Sequence, residues 1–117
     1  MKFVLLISHG SRFSKTKEEV KILVRRLRES SSINIFEYAF LEIETPSIPD
    51  GIETCIQKGA TDILILLNFL NSGRHVDEDI PKIIEKAKRQ YPNISFHISK
   101  PVGQHENIIK LFLDMLH

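Results

Sequence analysis

Four times along this chain, a short apolar segment of strand character is followed by a segment whose apolar residues recur at helical spacing. The strand-like segments are residues 2–8, 33–41, 62–67 and 94–98. Four successive βα units require a parallel sheet with right-handed crossovers. We therefore expect a three-layer, flavodoxin-like α/β fold, with four parallel strands in the order 2-1-3-4 and helices on both faces.

Each helical segment carries one apolar face, predicted to pack on the sheet. The residues of these faces are Val20, Leu23, Val24 and Leu27 in the first helix, Ile48, Ile52, Cys55 and Ile56 in the second, and Ile80, Ile83, Ile84 and Ala87 in the third. Ser14 is the expected N-cap of the first helix, the second opens at 45–47, and Gly59 ends it. The third helix is predicted to begin at Asp77 or Glu78, and the last to cover residues 104–116.

Composition limits the possible functions. A chain of 117 residues predicts a single domain over residues 1–117. The net charge is +1, with basic and acidic residues interspersed, so no nucleic-acid partner is expected. One cysteine excludes an intrachain disulfide and fits a reducing cytoplasm. Neither a membrane-spanning apolar run nor a P-loop or dinucleotide motif is found, so we expect a cytoplasmic protein that uses no nucleotide.

Two histidines follow apolar strands. His9 lies in a Ser-His-Gly-Ser turn directly after the first strand, and His75 lies in a glycine-containing loop after the third. In the predicted strand order these two strands are neighbours, and ligands of parallel α/β sheets bind outside the carboxyl ends of the strands. The two imidazoles should therefore project into one crevice. Neutral imidazole binds Zn, Co, Ni, Fe and Cu, so the pair is a candidate metal site.

Other interpretations of these histidines stay open from the residues alone. His9 fits a helix-capping turn histidine, a metal ligand, a general base or a phosphohistidine nucleophile. Histidine phosphatases place an arginine just before the histidine, whereas Ser8 stands here and Arg12 follows three residues later, which counts against phosphoryl transfer. His75 taken alone is typical of an exposed loop residue.

Further polar residues are predicted near the same edge of the sheet. Glu42 leaves the second strand there, where it could complete a metal site, accept protons, or be a solvated loop acid. The acidic residues 77–79 are interpreted as structural, at the positive end of a helix. His105 could line the same cleft, although helix capping is favoured. Cations that could bind a polycarboxylate stand at three predicted strand ends: Arg12, Arg74 and Lys100.

Four motifs together resemble one protein family. The runs SHGSR, FLEIETPSIPDGI, GATDILILLNFLNSGRHVDEDIP and KPVGQHENI are similar to those of the small CbiX-type sirohydrochlorin cobaltochelatases, over nearly the whole chain and in the same order. The resemblance implies a chelatase-like fold and ATP-independent insertion of a divalent metal into sirohydrochlorin. It also implies a homodimer whose two subunits correspond to one longer, duplicated chelatase.

The resemblance also implies roles for individual residues. His9 and His75 match the two histidines that handle metal in that family, and Glu42 falls on the glutamate of the FLE motif. We therefore predict these three as catalytic, with His9 and His75 as metal ligands. Asn68 departs from the pattern, because many relatives have proline there, and we expect this departure to loosen the following loop.

Substrate docking is predicted at Ser11, Arg12 and Arg74, because the macrocycle carries many carboxylates. Co²⁺ is the expected metal substrate, with Ni²⁺ or Fe²⁺ as alternatives, in cobalamin-type tetrapyrrole biosynthesis. The second interpretation is a non-catalytic tetrapyrrole or metal carrier on the same fold, and the third is a phosphohistidine-type phosphatase.

Overall fold

The strands lie in one parallel sheet with the order β2-β1-β3-β4. The computed structural model describes residues 1–33 and 35–117. Its strands are β1 (Lys2–Ser8), β2 (Phe36–Phe40), β3 (Asp62–Leu67) and β4 (Ser95–Pro101). The helices are α1 (Ser14–Ser30), α2 (Ile48–Gln57), α3 (Ile80–Gln90) and α4 (Ile108–Asp114). The predicted fold class and strand order are confirmed.

Alternating residues of the strands divide the core into two layers. The first face of the sheet carries Phe3, Leu5 and Ile7 of β1 and packs against α2 and α3. The second face carries Val4 and Leu6 and packs against α1. In the middle of the sheet, β1 is buried from Phe3 to Ser8, as expected for a strand covered on both sides, whereas β3 buries only alternate residues. The carboxyl ends of these central strands meet at one edge.

Element boundaries differ from the predictions at several ends. The second strand begins at Phe36 and ends at Phe40, shorter than the predicted 33–41, and Asn34 lies outside the described residues. Ser14 is not an N-cap: it is the first residue of α1, and Phe13 holds the cap position without a side-chain bond. The prediction for α2 is confirmed, since the Ser47 hydroxyl accepts a hydrogen bond from the Asp50 amide.

The third and fourth helices begin later than predicted. A π-helical turn occupies His75–Asp79, so α3 begins at Ile80 rather than at Asp77 or Glu78. After β4, a 3₁₀ turn over Val102–Gln104 precedes α4, which is shorter than the predicted 104–116. Within the part of the chain that the structure describes, none of the helices is both long and apolar enough to cross a bilayer.

Candidate metal centre

The turn after β1 brings His9 to the centre of the sheet edge. Gly10 permits this turn, because its φ of +105° is a conformation that residues with a Cβ rarely adopt. A Cβ at Gly10 would also lie 1.8 Å from the backbone oxygen of Glu42. The glycine therefore lets the His9 turn pass directly against the segment that carries Glu42.

Backbone hydrogen bonds continue from β1 and β2 into this edge and fix Glu42 beside His9. The Leu41 amide donates to the Ser8 carbonyl at 2.9 Å, and the Glu42 amide donates to the His9 carbonyl at 3.0 Å. The Glu42 carboxylate oxygen Oε1 lies 3.4 Å from His9 Nε2. The next residue, Ile43, has a φ of +70°, which is an unusual and costly conformation for a β-branched residue. The backbone is therefore strained directly after Glu42.

His75 reaches the same point from the π-helical turn after β3. Its Nε2 lies 3.9 Å from Glu42 Oε1, and its Nδ1 lies 2.8 Å from Asp79 Oδ2. A carboxylate can only accept, so Nδ1 donates in this contact, and in the neutral imidazole Nε2 is then the nitrogen with the lone pair, on the side of Glu42. Isolated π turns are frequent at functional sites. Here the turn sets Asp79 where it orients the histidine ring.

Together these residues form a three-donor cluster. The imidazole rings of His9 and His75 have centroids 5.0 Å apart and planes inclined by 42°. One donor atom from each of His9, Glu42 and His75 lies within 4.8 Å of the others. The side chains are 47%, 48% and 44% exposed, respectively, so the cluster is open to solvent. Two imidazoles and one carboxylate with an open side match the donor set of three-ligand catalytic metal sites.

The predicted docking residues follow His9 or precede His75 in the sequence, and the structure gives them few contacts. Arg12 is exposed in the turn after His9. The Arg74 side chain is 81% exposed, and its Nε lies 3.8 Å from Glu78 Oε2. The Ser11 hydroxyl accepts a hydrogen bond from the Phe13 amide at 3.0 Å and so stabilises the entry to α1. The two guanidinium groups thus remain available to an anionic ligand.

Other candidates have structural roles. His105 does not cap the last helix as expected: its Nδ1 accepts a hydrogen bond from the Asn107 amide at 3.0 Å in the turn before α4, and Asn107 holds the cap position without a side-chain bond. Lys100 is exposed at the end of β4. Cys55 is fully buried, and burial, followed by the nearby Glu37 carboxylate, raises the pKa of its thiol to about 12. It is therefore a core residue rather than a ligand.

Asn68 links the two central strands at this edge of the sheet. Its amide nitrogen Nδ2 donates to the Ser8 hydroxyl at 3.0 Å, and its backbone amide donates to the Ile7 carbonyl at 2.9 Å. Proline could make neither bond, because it has no backbone N–H. Ser8, directly before His9, is held in place by this contact, and the looser loop after Asn68 stays a prediction.

Sequence reasoning missed Asp79 as the hydrogen-bond partner of His75. It was grouped with Asp77 and Glu78 as an acid at a helix N-terminus, yet it is the partner of His75 Nδ1. The available signal was the spacing of four residues between His75 and Asp79, which places two side chains on the same side of a helical turn.

Fold and site define a class: a doubly wound α/β domain that presents two imidazoles and a carboxylate at the carboxyl edge of its sheet, suited to handling a metal ion. The model of the CbiX family matches residues 3–117, and the chain belongs to this family.

Two named proteins and one crystal structure are similar to this chain over nearly all of its length. The chain is 32% identical over 107 residues to the sirohydrochlorin ferrochelatase of Bacillus subtilis, covering 92% of this chain and 41% of the relative. It is 35% identical over 111 residues to the sirohydrochlorin cobaltochelatase of Priestia megaterium, covering 95% and 36%. The crystal structure of the sirohydrochlorin chelatase SirB from Bacillus subtilis subspecies spizizenii in complex with cobalt superimposes with a TM-score of 0.89 at 31% identity, covering 98% of this chain and 49% of that one. The chain thus spans half or less of the length of these relatives.

Proposed function

We propose that this chain, as a single chelatase domain over residues 1–117, inserts a divalent metal ion into sirohydrochlorin without ATP. The observation that carries this proposal is the open His9–Glu42–His75 cluster at the carboxyl edge of the sheet. The names of the relatives, sirohydrochlorin ferrochelatase and sirohydrochlorin cobaltochelatase, support the choice of macrocycle.

The chemistry of metal insertion explains why these side chains are needed. A hydrated M²⁺ ion exchanges water for His9 Nε2, His75 Nε2 and the Glu42 carboxylate, and then exchanges these donors for the four nitrogens of the macrocycle. Two pyrrole N–H bonds break, the metal takes the place of the two hydrogens, and two protons leave. The released carboxylate or imidazoles are bases within reach of those protons. The metal stays in the +2 state, so no redox partner is required.

We propose Co²⁺ as the metal substrate, with Ni²⁺ and Fe²⁺ as alternatives, and cobalamin-type tetrapyrrole biosynthesis as the pathway. Imidazole and carboxylate donors accept all three ions, and their relative affinities follow the general order of divalent metals rather than this site's geometry. The relatives include a ferrochelatase and a cobaltochelatase, which supports a donor set common to both metals.

Docking of the macrocycle is proposed to use Arg12 and Arg74, with Ser11 at the same turn. Sirohydrochlorin carries many carboxylates, which guanidinium groups bind with paired, charge-assisted hydrogen bonds. Both arginines are exposed and adjoin the turns that carry His9 and His75. An ion pair with Glu78 at 3.8 Å is weak enough for Arg74 to exchange it for a substrate carboxylate.

A second copy of the chain is proposed as the partner. A flat macrocycle is wide compared with one small domain, and the chain spans only 41% of its Bacillus subtilis relative. Two copies would supply a length similar to that of the longer enzyme. A cytoplasmic location, based on composition and the single cysteine, is part of the same proposal.

The proposal is tested with sirohydrochlorin and Co²⁺, followed by the change in the ultraviolet–visible spectrum. We expect His9→Ala and His75→Ala each to remove most of the insertion rate, and Glu42→Gln to lower it. His97→Ala is the matched control, because His97 is a strongly exposed histidine on β4 outside the cluster. Circular dichroism and thermal unfolding show whether each variant remains folded.

Three outcomes separate the proposed enzyme from its alternatives. Repeated turnover that is lost in the His9 and His75 variants supports a chelatase. Uptake of one equivalent with no turnover above the uncatalysed rate would instead indicate a carrier. Hydrolysis of a generic phosphoester would indicate a phosphatase, which the buried Ser8 before His9 disfavours, since no arginine occupies that position.

A further inference from the structure

The regular pairing of the two central strands ends just before the two histidines of the cluster. The ladder between β1 and β3 has its last pair at Ile7 and Leu67. From there β1 runs directly into His9, and β3 runs into the loop that leads to His75. The distance between the two imidazoles therefore depends on what holds the strands together beyond their last regular pair.

Two hydrogen bonds of Asn68 hold the strands together at this point. Its backbone amide donates to the Ile7 carbonyl at 2.9 Å and extends the ladder by one bond. Its side-chain Nδ2 donates to the Ser8 hydroxyl at 3.0 Å. Ser8 is 6% exposed and, of the residues that the structure describes, is the one polar side chain in the buried core. A buried hydroxyl needs a hydrogen-bond partner, and Asn68 supplies it.

Ser8 is also bonded to the segment that carries Glu42. The Ser8 carbonyl accepts a hydrogen bond from the Leu41 amide at 2.9 Å, one residue before Glu42. Ser8 itself directly precedes His9. The segments that carry all three donors of the cluster are therefore joined at Ser8, and Asn68 is its link to the third.

The other side of β3 is held by a different bond. The pairing of β3 with β4 shifts by one residue between Ile65 and Leu67. At this shift the Leu67 amide donates to the Ser99 hydroxyl at 3.0 Å. This bond joins β3 to β4, and β4 carries no donor of the cluster. It therefore supports the end of β3 without setting the distance between His9 and His75.

We infer that Asn68 is a positioning residue of the cluster: its side-chain bond to Ser8 fixes how far apart the two imidazoles lie. The inference rests on the metal site of the proposed function and adds a residue that supplies no ligand itself. Donors that are positioned in advance bind an ion at a smaller entropic cost. Residues that orient metal ligands contribute about 10- to 100-fold in affinity. The loss should lie at the low end of this range, because the backbone bond of Asn68 remains in a side-chain variant.

The first test measures Co²⁺ binding to the full-length chain by isothermal titration. We expect Asn68→Ala and Ser8→Ala each to raise the dissociation constant about tenfold. Because both act through one bond, the double variant should also show an increase of about tenfold rather than roughly a hundredfold. Ser99→Ala is the matched control, since it removes a hydroxyl that accepts an equally long bond on the other side of β3. It should leave the dissociation constant unchanged.

The visible spectrum of bound Co²⁺ separates positioning from stability. This spectrum depends on the number and arrangement of the ligands, so a displaced imidazole changes it. A purely structural loss lowers the unfolding temperature and leaves the spectrum as it is. We expect Asn68→Ala to alter the spectrum of the Co²⁺-saturated protein, and Ser99→Ala to keep the wild-type spectrum at a lower unfolding temperature.

The positioning role is refuted if Asn68→Ala binds Co²⁺ with the wild-type constant and spectrum, if Ser99→Ala weakens binding equally, or if the losses of the two other alanine variants simply add. Turnover with sirohydrochlorin is measured separately. A wild type that binds Co²⁺ but inserts none would overturn the proposed function and leave the role of Asn68 intact. A wild type that binds no Co²⁺ would overturn both.

Discussion

Replacing Asp79 by asparagine tests whether the π-helical turn prepares His75 for metal. Asp79 Oδ2 lies 2.8 Å from His75 Nδ1, a typical length for a charge-assisted hydrogen bond. This bond holds the proton on Nδ1 and leaves Nε2 free to bind metal, 3.9 Å from Glu42 Oε1. Asparagine keeps the size of the side chain but removes its charge, and its amide group can also present a donor to Nδ1.

The expected loss of Co²⁺ affinity depends on how exposed the Asp79 and His75 side chains are. Carboxylates that orient a metal-binding histidine contribute about 10- to 100-fold in metal affinity. The Asp79 and His75 side chains are 37% and 44% exposed, so water screens part of the interaction. We therefore expect Asp79→Asn to weaken Co²⁺ binding about tenfold, which corresponds to about 1.4 kcal/mol. The rate of insertion at limiting Co²⁺ should fall by a similar factor.

The matched control is Asp77→Asn, which removes the same charge from the same turn. Asp77 is exposed, and its side chain is not the partner of the His75 ring. Isothermal titration with Co²⁺ gives both dissociation constants, and thermal unfolding checks that both variants are folded. Equal dissociation constants for the two variants would refute the orienting role of Asp79 and leave only a general charge effect.

Two further predictions concern the scaffold. Gly10→Ala should reduce both stability and insertion rate, because a Cβ there would meet the Glu42 carbonyl at 1.8 Å. Gly59 has a similar φ of +104°, but an added Cβ there would have no atom within 4 Å, so Gly59→Ala should cost only the backbone strain of about 1 kcal/mol. Urea unfolding compares the two variants, and equal losses in the free energy of unfolding would contradict the close approach of Gly10 to the Glu42 carbonyl. Cys55 should contribute a pH dependence: its thiol has a pKa of about 12 in the folded chain against the ordinary 9.0, so folding stability is unaffected below pH 9.0 and decreases between the two values. From pH 8 to pH 10 the wild type should lose about 1 kcal/mol more stability than Cys55→Ala, and parallel losses would count against burial of the thiol.

Topology explains why much of the site was predictable from the sequence. Strands 1 and 3 were expected as neighbours because four βα units permit few arrangements, and parallel strands place all their carboxyl ends at one edge. His9 and His75 follow those strands, so the fold brings them to the same edge, where their ring centroids are 5.0 Å apart. Glu42 follows the strand on the other side of β1 and joins them for the same reason.

Other features depend on interactions that apolar spacing does not encode. The π turn at His75–Asp79 changes the hydrogen-bond register before α3, and apolar spacing from Ile80 onward is the same with or without it. Asp79 therefore looked like one more acid at a helix start. Leu23 and Leu27 carry the apolar spacing of a buried face, yet Leu23 is 37% exposed and both residues line an apolar groove on the sheet's second face.

The way the three donors are held bears on whether this site keeps a metal or transfers it. His9 and Glu42 are joined through the backbone, whereas His75 is oriented by the side chain of Asp79, so the donors are positioned before any metal arrives. Preorganisation reduces the entropic cost of binding. Yet each donor side chain is close to half exposed, and no thiolate takes part, so water and incoming nitrogen ligands can reach the ion. A closed four-thiolate site would bind more tightly and release more slowly. Firm positioning combined with open access is what the proposed transfer of a metal to the macrocycle requires.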